Sequence, residues 1–160
     1  MPAMKWLFPA VLVLVAACAA PPEPVSVPAV RDLSRPVYSI AGFDPARLSG
    51  DWEQVAGFGR ACGPGRLQMG AELIYDLCLP TGRAAGAARA TEVPGRFDSK
   101  DGALWVLWAD ADDRTLVIGG PDGRVAAVLN RAGGISSDRM QAARDILGFN
   151  GYDVSRLVVY

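Results

Sequence analysis

Few side chains in this chain are equipped for chemistry, and their types decide much. There is no histidine, so a proton relay through an imidazole, or a serine or cysteine activated by one, cannot be assembled. Neither a Gly-x-Ser-x-Gly elbow nor a phosphate-cradling glycine loop appears, and those tight turns are what expose a nucleophile or wrap a phosphate. Asp110, Asp112 and Asp113 space like the start of a calcium loop. The turn glycine and the closing glutamate of such a loop are missing, which leaves them as solvated turn residues. Only a carboxylate pair that no motif places is left to an enzyme. The chain is expected not to be an enzyme, with no cofactor and no metal site.

Three cysteines carry the remaining chemistry. Met1 to Lys5 supplies one positive charge, and Trp6–Ala17 is a twelve-residue apolar run. A membrane-spanning helix needs about twenty such residues, so the run reads as the core of a secretory signal. It stops at Val15-Ala16-Ala17-Cys18, which resembles the bacterial lipobox, an aliphatic residue and two small ones before a cysteine. That resemblance implies cleavage after residue 17 and acylation of the Cys18 thiol with chains such as palmitate. Residues 1–17 are thus a signal peptide. Residues 18–42 begin with the anchor and continue as a spacer, with prolines at 21, 22, 24, 28 and 36 and no hydrophobic periodicity, a composition that stays extended and semi-rigid. Ala19 stands where an Asp would be the usual inner-membrane retention signal. The implied location is the outer membrane, facing the periplasm. With Cys18 assigned to the anchor, Cys62 and Cys78 remain as a pair, and an oxidising periplasm favours their joining. The loop between them holds 15 residues, and closing it stabilises a fold by about 3 kcal/mol in the chain-entropy account. No further cysteine or histidine completes a zinc site.

Loss of the signal removes Lys5 and no acid, leaving 15 basic and 17 acidic side chains with the arginines scattered. Nucleic acid is not an expected partner. Residues 43–160 are one domain's worth of chain.

The elements that must position these residues read mostly as strands. Phe43–Leu48 is a short helical turn capped by Asp44, with Pro45 at its first position. Residues 50–58 alternate so that Trp52, Gln54, Ala56 and Phe58 share one face. Strand-like stretches follow at 66–69, 72–79, 83–93, 96–98, 104–109, 115–119 and 125–131, divided by Gly-, Pro- and Asp-Gly-rich turns. The stretch 83–93 is alanine-rich, which also permits helix; Gly86 and the neighbouring strands favour strand. Ser136–Leu147 is a helix with hydroxyl caps, Met140, Ala143 and Leu147 on one face and Gly148 as its C-cap. Residues 152–160 return to a strand. Many short strands joined by tight turns indicate an all-β barrel or sandwich.

Gly50-Asp51-Trp52 after a helical turn resembles the first-strand Gly-x-Trp motif of the lipocalins. Gly119–Arg131 resembles their penultimate turn and last barrel strand, ending on an arginine. Asp145–Leu157 resembles the helix and following strand of bacterial lipocalins. Glu53 departs from the tyrosine many of those carry, and the span between first and last strands is short. The resemblance implies an all-β, lipocalin-like, up-and-down antiparallel eight-stranded β-barrel, with a C-terminal α-helix packed outside and a final short strand. It also implies structural roles: Gly50 admits the chain, Trp52 plugs one barrel end, and Arg131 covers the indole in a cation–π contact of about 0.5–2 kcal/mol.

Two functions follow. In the first, a membrane-anchored lipocalin-like protein binds a small hydrophobic ligand, a lipid or fatty-acid derivative, through Gln54, Ala56 and Phe58 with Trp105 or Trp108. In the second, an accessory envelope lipoprotein has a barrel filled by its own side chains. Both faces of Leu104–Trp108 are apolar, as expected where a helix covers a barrel. One tryptophan would then be core or ligand contact, with the other under the helix.

Overall fold

The computed structural model describes residues 29–160. The signal segment, Cys18 and the first part of the spacer lie outside the described residues.

The capping that starts the domain is local. Asp44 Oδ1 accepts from the backbone N–H of Ala46 at 2.9 Å, and Pro45 opens the four-residue helix α1 (Pro45–Leu48). Eight strands follow: β1 (Gly50–Gly57), β2 (Arg66–Met69), β3 (Leu73–Leu79), β4 (Gly82–Ala90), β5 (Arg96–Ser99), β6 (Gly102–Ala109), β7 (Thr115–Gly119) and β8 (Ala126–Asn130). Each is antiparallel to the next, and β1 also pairs with β8, closing the ring. The alanine-rich stretch is strand, paired to β3 along seven residues. Closure leaves none of these eight strands at a free edge.

Helix α2 (Ser137–Phe149) lies outside on β6 and β7, burying Ala143 and Leu147. It runs past the expected Gly148 stop; Asn150 caps it, and Gly151 takes the left-handed φ of +86°. The tail is less strand-like than its sequence suggests. Asp153 accepts from the Ser155 N–H and starts a 3₁₀ turn (Val154–Arg156), which leaves only β9 (Val158–Val159). β9 pairs with β1 at Ala56 and Gly57, where β2 no longer reaches.

The folded part begins by Ala29 rather than at Phe43. Val30 is 1% exposed and Arg31, at 4%, forms a bridge with Tyr152. The Arg31 guanidinium donates to the carbonyls of Asn150 and Pro121, each at 2.9 Å, and to that of Arg35. Residues 29–40 are therefore a strap held against the barrel, and Ile40 N–H donates to Val106 O at 2.8 Å.

Two apolar layers result. One fills the barrel: Trp52, Leu67, Tyr75, Leu104, Leu116 and Leu129 are among its members. The other lies between the barrel wall, α2 and the strap, and contains Val30, Ala56, Phe58, Leu107, Val117, Ala143, Leu147 and Tyr152.

Candidate functional site

At the closed end, β1 carries Trp52 into the barrel, where its ring is fully buried and its Nε1–H donates to Leu48 O at 3.0 Å. Arg131, just after β8, sets its guanidinium carbon 3.9 Å from the indole centroid. The same guanidinium donates to the carbonyls of Asp51 and Asp113 at 3.3 Å and of Arg47 at 3.4 Å. Gly50 sits at φ +99°, a backbone conformation that favours glycine, and a Cβ there would stand 3.0 Å from Arg131 Nη1 and press on the guanidinium. Asp110, Asp112 and Asp113 border this end in the β6–β7 turn. Asp110 accepts from the Arg114 and Thr115 N–H groups at 2.7 Å and pairs with Arg139, as does Asp112; Asp113 pairs with Arg47. These carboxylates are engaged by turn amides and arginines. Among the described residues, no cluster of His, Cys, Asp or Glu has metal-holding geometry.

The residues expected to meet a ligand are not gathered in the interior. Register shifts lie between Gln54 and Ala56 in β1 and between Val106 and Trp108 in β6. An extra residue in one strand inverts the inward–outward parity of everything after it. Trp52 and Gln54 therefore face one way, while Ala56 and Phe58 belong to the outer layer under α2 and the strap. Phe58 stacks on Tyr152 with ring centroids 5.7 Å apart. Trp105 and Trp108 both pack against the outer layer too, and Arg96 lies over Trp105 at 3.8 Å. Neither tryptophan is in the barrel interior.

Gln54 is buried, but its amide is taken by backbone. Oε1 accepts from the N–H groups of Cys78 (2.8 Å) and Gly65 (3.0 Å), and Nε2 donates to Cys78 O at 2.9 Å. It bridges β1 to β3 where β2 has not yet begun. The Cys62–Cys78 disulfide, with Cα atoms 5.6 Å apart, ties the β1–β2 loop to the same point.

The interior itself is solid. Its seventeen buried residues, from Leu48 to Leu129, are each at most 7% exposed. Side chains lining an empty acyl-sized cavity would retain accessible surface, and these do not. A groove of about 830 Å³ runs along β1, β2 and β3, where Glu53, Arg66, Asp76, Arg83 and Tyr160 line it with mixed charge and the buried Trp52, Leu67 and Tyr75 back it.

The interior comes nearest to solvent beside β4. Ala84 and Gly86 alternate with Ala88, which is in the interior cluster, yet are only partly buried, and β4 pairs with β5 through only two residue pairs. Across this seam Tyr75 donates to Asp101 Oδ2 at 2.6 Å. That bond, with the Lys100 ammonium at 2.9 Å, holds the Asp101 carboxyl below its ordinary range, while burial pushes the Tyr75 phenol up. Neither Tyr75 nor Asp101 carries a signal in the sequence, because strand parity alone does not mark which turn a long side chain reaches.

No family profile matches the chain, and no curated protein matches it. Among solved structures that match is the siderocalin Ex-FABP, described as functioning "through dual ligand specificities", at 18% identity and a TM-score of 0.48, with 71% of this chain and 93% of that chain covered. The fold is a closed eight-stranded antiparallel barrel with one strand and one helix outside it.

Proposed function

We propose that this chain is a non-enzymatic, acyl-tethered lipoprotein of the bacterial envelope, anchored through Cys18 to the outer membrane, whose barrel is a filled scaffold that acts through its outer surface. The observation that carries this reading is the packed interior: Trp52, Tyr75 and the leucines around them leave each other almost no accessible surface. A barrel this small can fill itself. The lipobox residues and the proline-rich spacer support the tether.

A second reading keeps a small hydrophobic ligand, as the lipocalin resemblance implies. It is favoured by the β4–β5 seam, where two residue pairs hold the wall and the small residues Ala84 and Gly86 leave only the Tyr75 phenol packed behind Gly86. A ligand would then enter by displacing interior side chains, not by occupying a ready cavity.

One experiment separates them. Purified, delipidated protein is titrated with fatty acids and lysophospholipids while tryptophan fluorescence and native mass are followed. The filled scaffold gives no saturable response and no bound mass. A saturable one-to-one complex overturns it in favour of the carrier.

A further inference from the structure

Three of the large apolar side chains most open to water lie on one part of the molecule. Leu33 is 60% exposed, Tyr38 53% and Phe149 61%. Leu33 and Tyr38 belong to the strap and Phe149 ends α2; the Tyr38 and Phe149 rings are 5.7 Å apart. The strap is pinned to this end of the helix by Asp32 N–H to Gly151 O and Asp153 N–H to Val30 O, both 2.9 Å, and by Tyr38 N–H to Asn150 Oδ1 at 2.8 Å. Arg35 donates to Gly148 O at 3.2 Å and Phe149 O at 3.1 Å, which fixes a cation at the C-terminal carbonyls of α2. The acids nearest in sequence are Asp32, Asp145 and Asp153; Asp32 and Asp153 each accept from a serine hydroxyl two residues on, and Asp145, one helical turn before Phe149, accepts from Gln141 Nε2 at 2.9 Å.

We propose that this strap-and-helix-end patch is the face that rests on the phospholipid bilayer; the proposal rests on the reading that Cys18 is acylated. Only residues 19–28 separate Cys18 from Ala29, and ten proline-rich residues span about 31 Å as a polyproline II spacer. The described chain starts four residues before Leu33, with Ala29 O accepting from Arg156 at 2.9 Å beside the Asp153 N–H to Val30 O bond that pins the strap. The face nearest the anchor therefore carries Tyr, Phe and Leu with an arginine among them, the mixture that suits the headgroup boundary. Size argues for lipid over a protein partner. A stable protein interface buries about 800 Å² on each side, far more than three side chains supply. An acyl anchor already holds the domain at the surface, so a weak additional contact is enough to orient it.

The test uses the mature, full-length protein reconstituted in phosphatidylethanolamine–phosphatidylglycerol vesicles and exposed to hydroxyl radicals. Side-chain oxidation is read by mass spectrometry, and the mass of the N-terminal peptide reports acylation separately. Phe149 and Tyr38 are expected to oxidise at least five-fold more slowly than their exposure and intrinsic reactivity give. Ile74, 44% exposed on the opposite wall in β3, reacts at its full rate and serves as the internal reference. Full-rate oxidation of Phe149 and Tyr38 on acylated, vesicle-bound protein overturns the docking face while leaving the anchor standing. An unacylated N-terminus overturns the anchor, and the docking face with it.

Discussion

The phenol of Tyr152 ties together backbone groups of the β7–β8 turn: it accepts from Gly120 N–H at 2.7 Å and lies within donating distance of Val125 O at 3.0 Å and of Gly120 O at 2.9 Å, a carbonyl that also accepts from Gly123 N–H. Gly119 must be glycine beside it, since a Cβ there would sit 2.6 Å from the Tyr152 hydroxyl and 2.8 Å from Leu107 Cδ1. Burial pushes the Tyr152 phenol up to about 12, against about 10 in an unfolded chain. A folded-state value raised in this way means that the stabilisation is complete below about pH 10 and is lost as pH rises toward 12. Two units correspond to about 2–3 kcal/mol. Urea unfolding of the native protein is therefore expected to lose on the order of 2–3 kcal/mol more between pH 9 and pH 12 than unfolding of Tyr152→Phe, which has no phenol to ionise. Equal alkaline slopes would show that this proton is held no more tightly folded than unfolded. Gln54 works by the same principle on neutral groups, since its one amide satisfies two N–H donors and a carbonyl. A ligand could use that amide only by leaving those three unmatched, which costs about 1–3 kcal/mol for each buried group.

Strand boundaries were legible because turn chemistry marks them: Asp101-Gly102, Pro121-Asp-Gly123 and Pro94-Gly95 all lie in or next to turns between strands. Strand faces were legible only up to the bulges. One inserted residue in β1 and one in β6 leave no compositional trace, yet they send Ala56, Phe58 and Trp108 to the outer layer. The strap was hidden for a different reason. It follows a proline-rich stretch, holds Pro36 and lacks periodicity, so it reads as spacer, and Arg31 is buried through backbone carbonyls that are distant in sequence. The plug at Trp52 and Arg131 was visible because a motif resemblance, not a periodicity, pointed to it. The disulfide was visible from cysteine count. It acts at the element scale, closing the β1–β2 loop onto β3 beside the Gln54 bridge. Replacing both Cys62 and Cys78 by alanine is expected to lower stability by about 3 kcal/mol. Urea curves of the native and variant proteins, with and without reductant, check this. The native protein in reductant falls to the variant's midpoint if the bridge supplies the difference, and an unchanged midpoint would mean that the loop is held by Gln54 and its neighbours alone.

For the whole molecule the decisive quantity is how much of the barrel is already occupied. A closed ring of short strands encloses little volume, and this one spends that volume on an indole, a phenol and a set of leucines. Filling brings stability through burial, at roughly 25 cal/mol per Å² of apolar surface, and removes the space a ligand would need. The two are linked, so emptying the interior should exchange one for the other. Leu104, fully enclosed on β6, is the place to do it, because Phe97 stands opposite it on β5 and the Val106–Ile118 pair lies next along the same buried face, on paired strands that a truncation would not let collapse freely. Leu104→Ala is expected to cost about 2–5 kcal/mol and to leave a dry apolar void that accepts a small aromatic such as benzene. The melting temperature of Leu104→Ala should then rise with benzene concentration, by mass action on the folded state, while that of the native protein stays fixed. A native protein that is itself stabilised by benzene would mean that the interior holds room before any side chain is cut. The filled scaffold would then give way to the carrier.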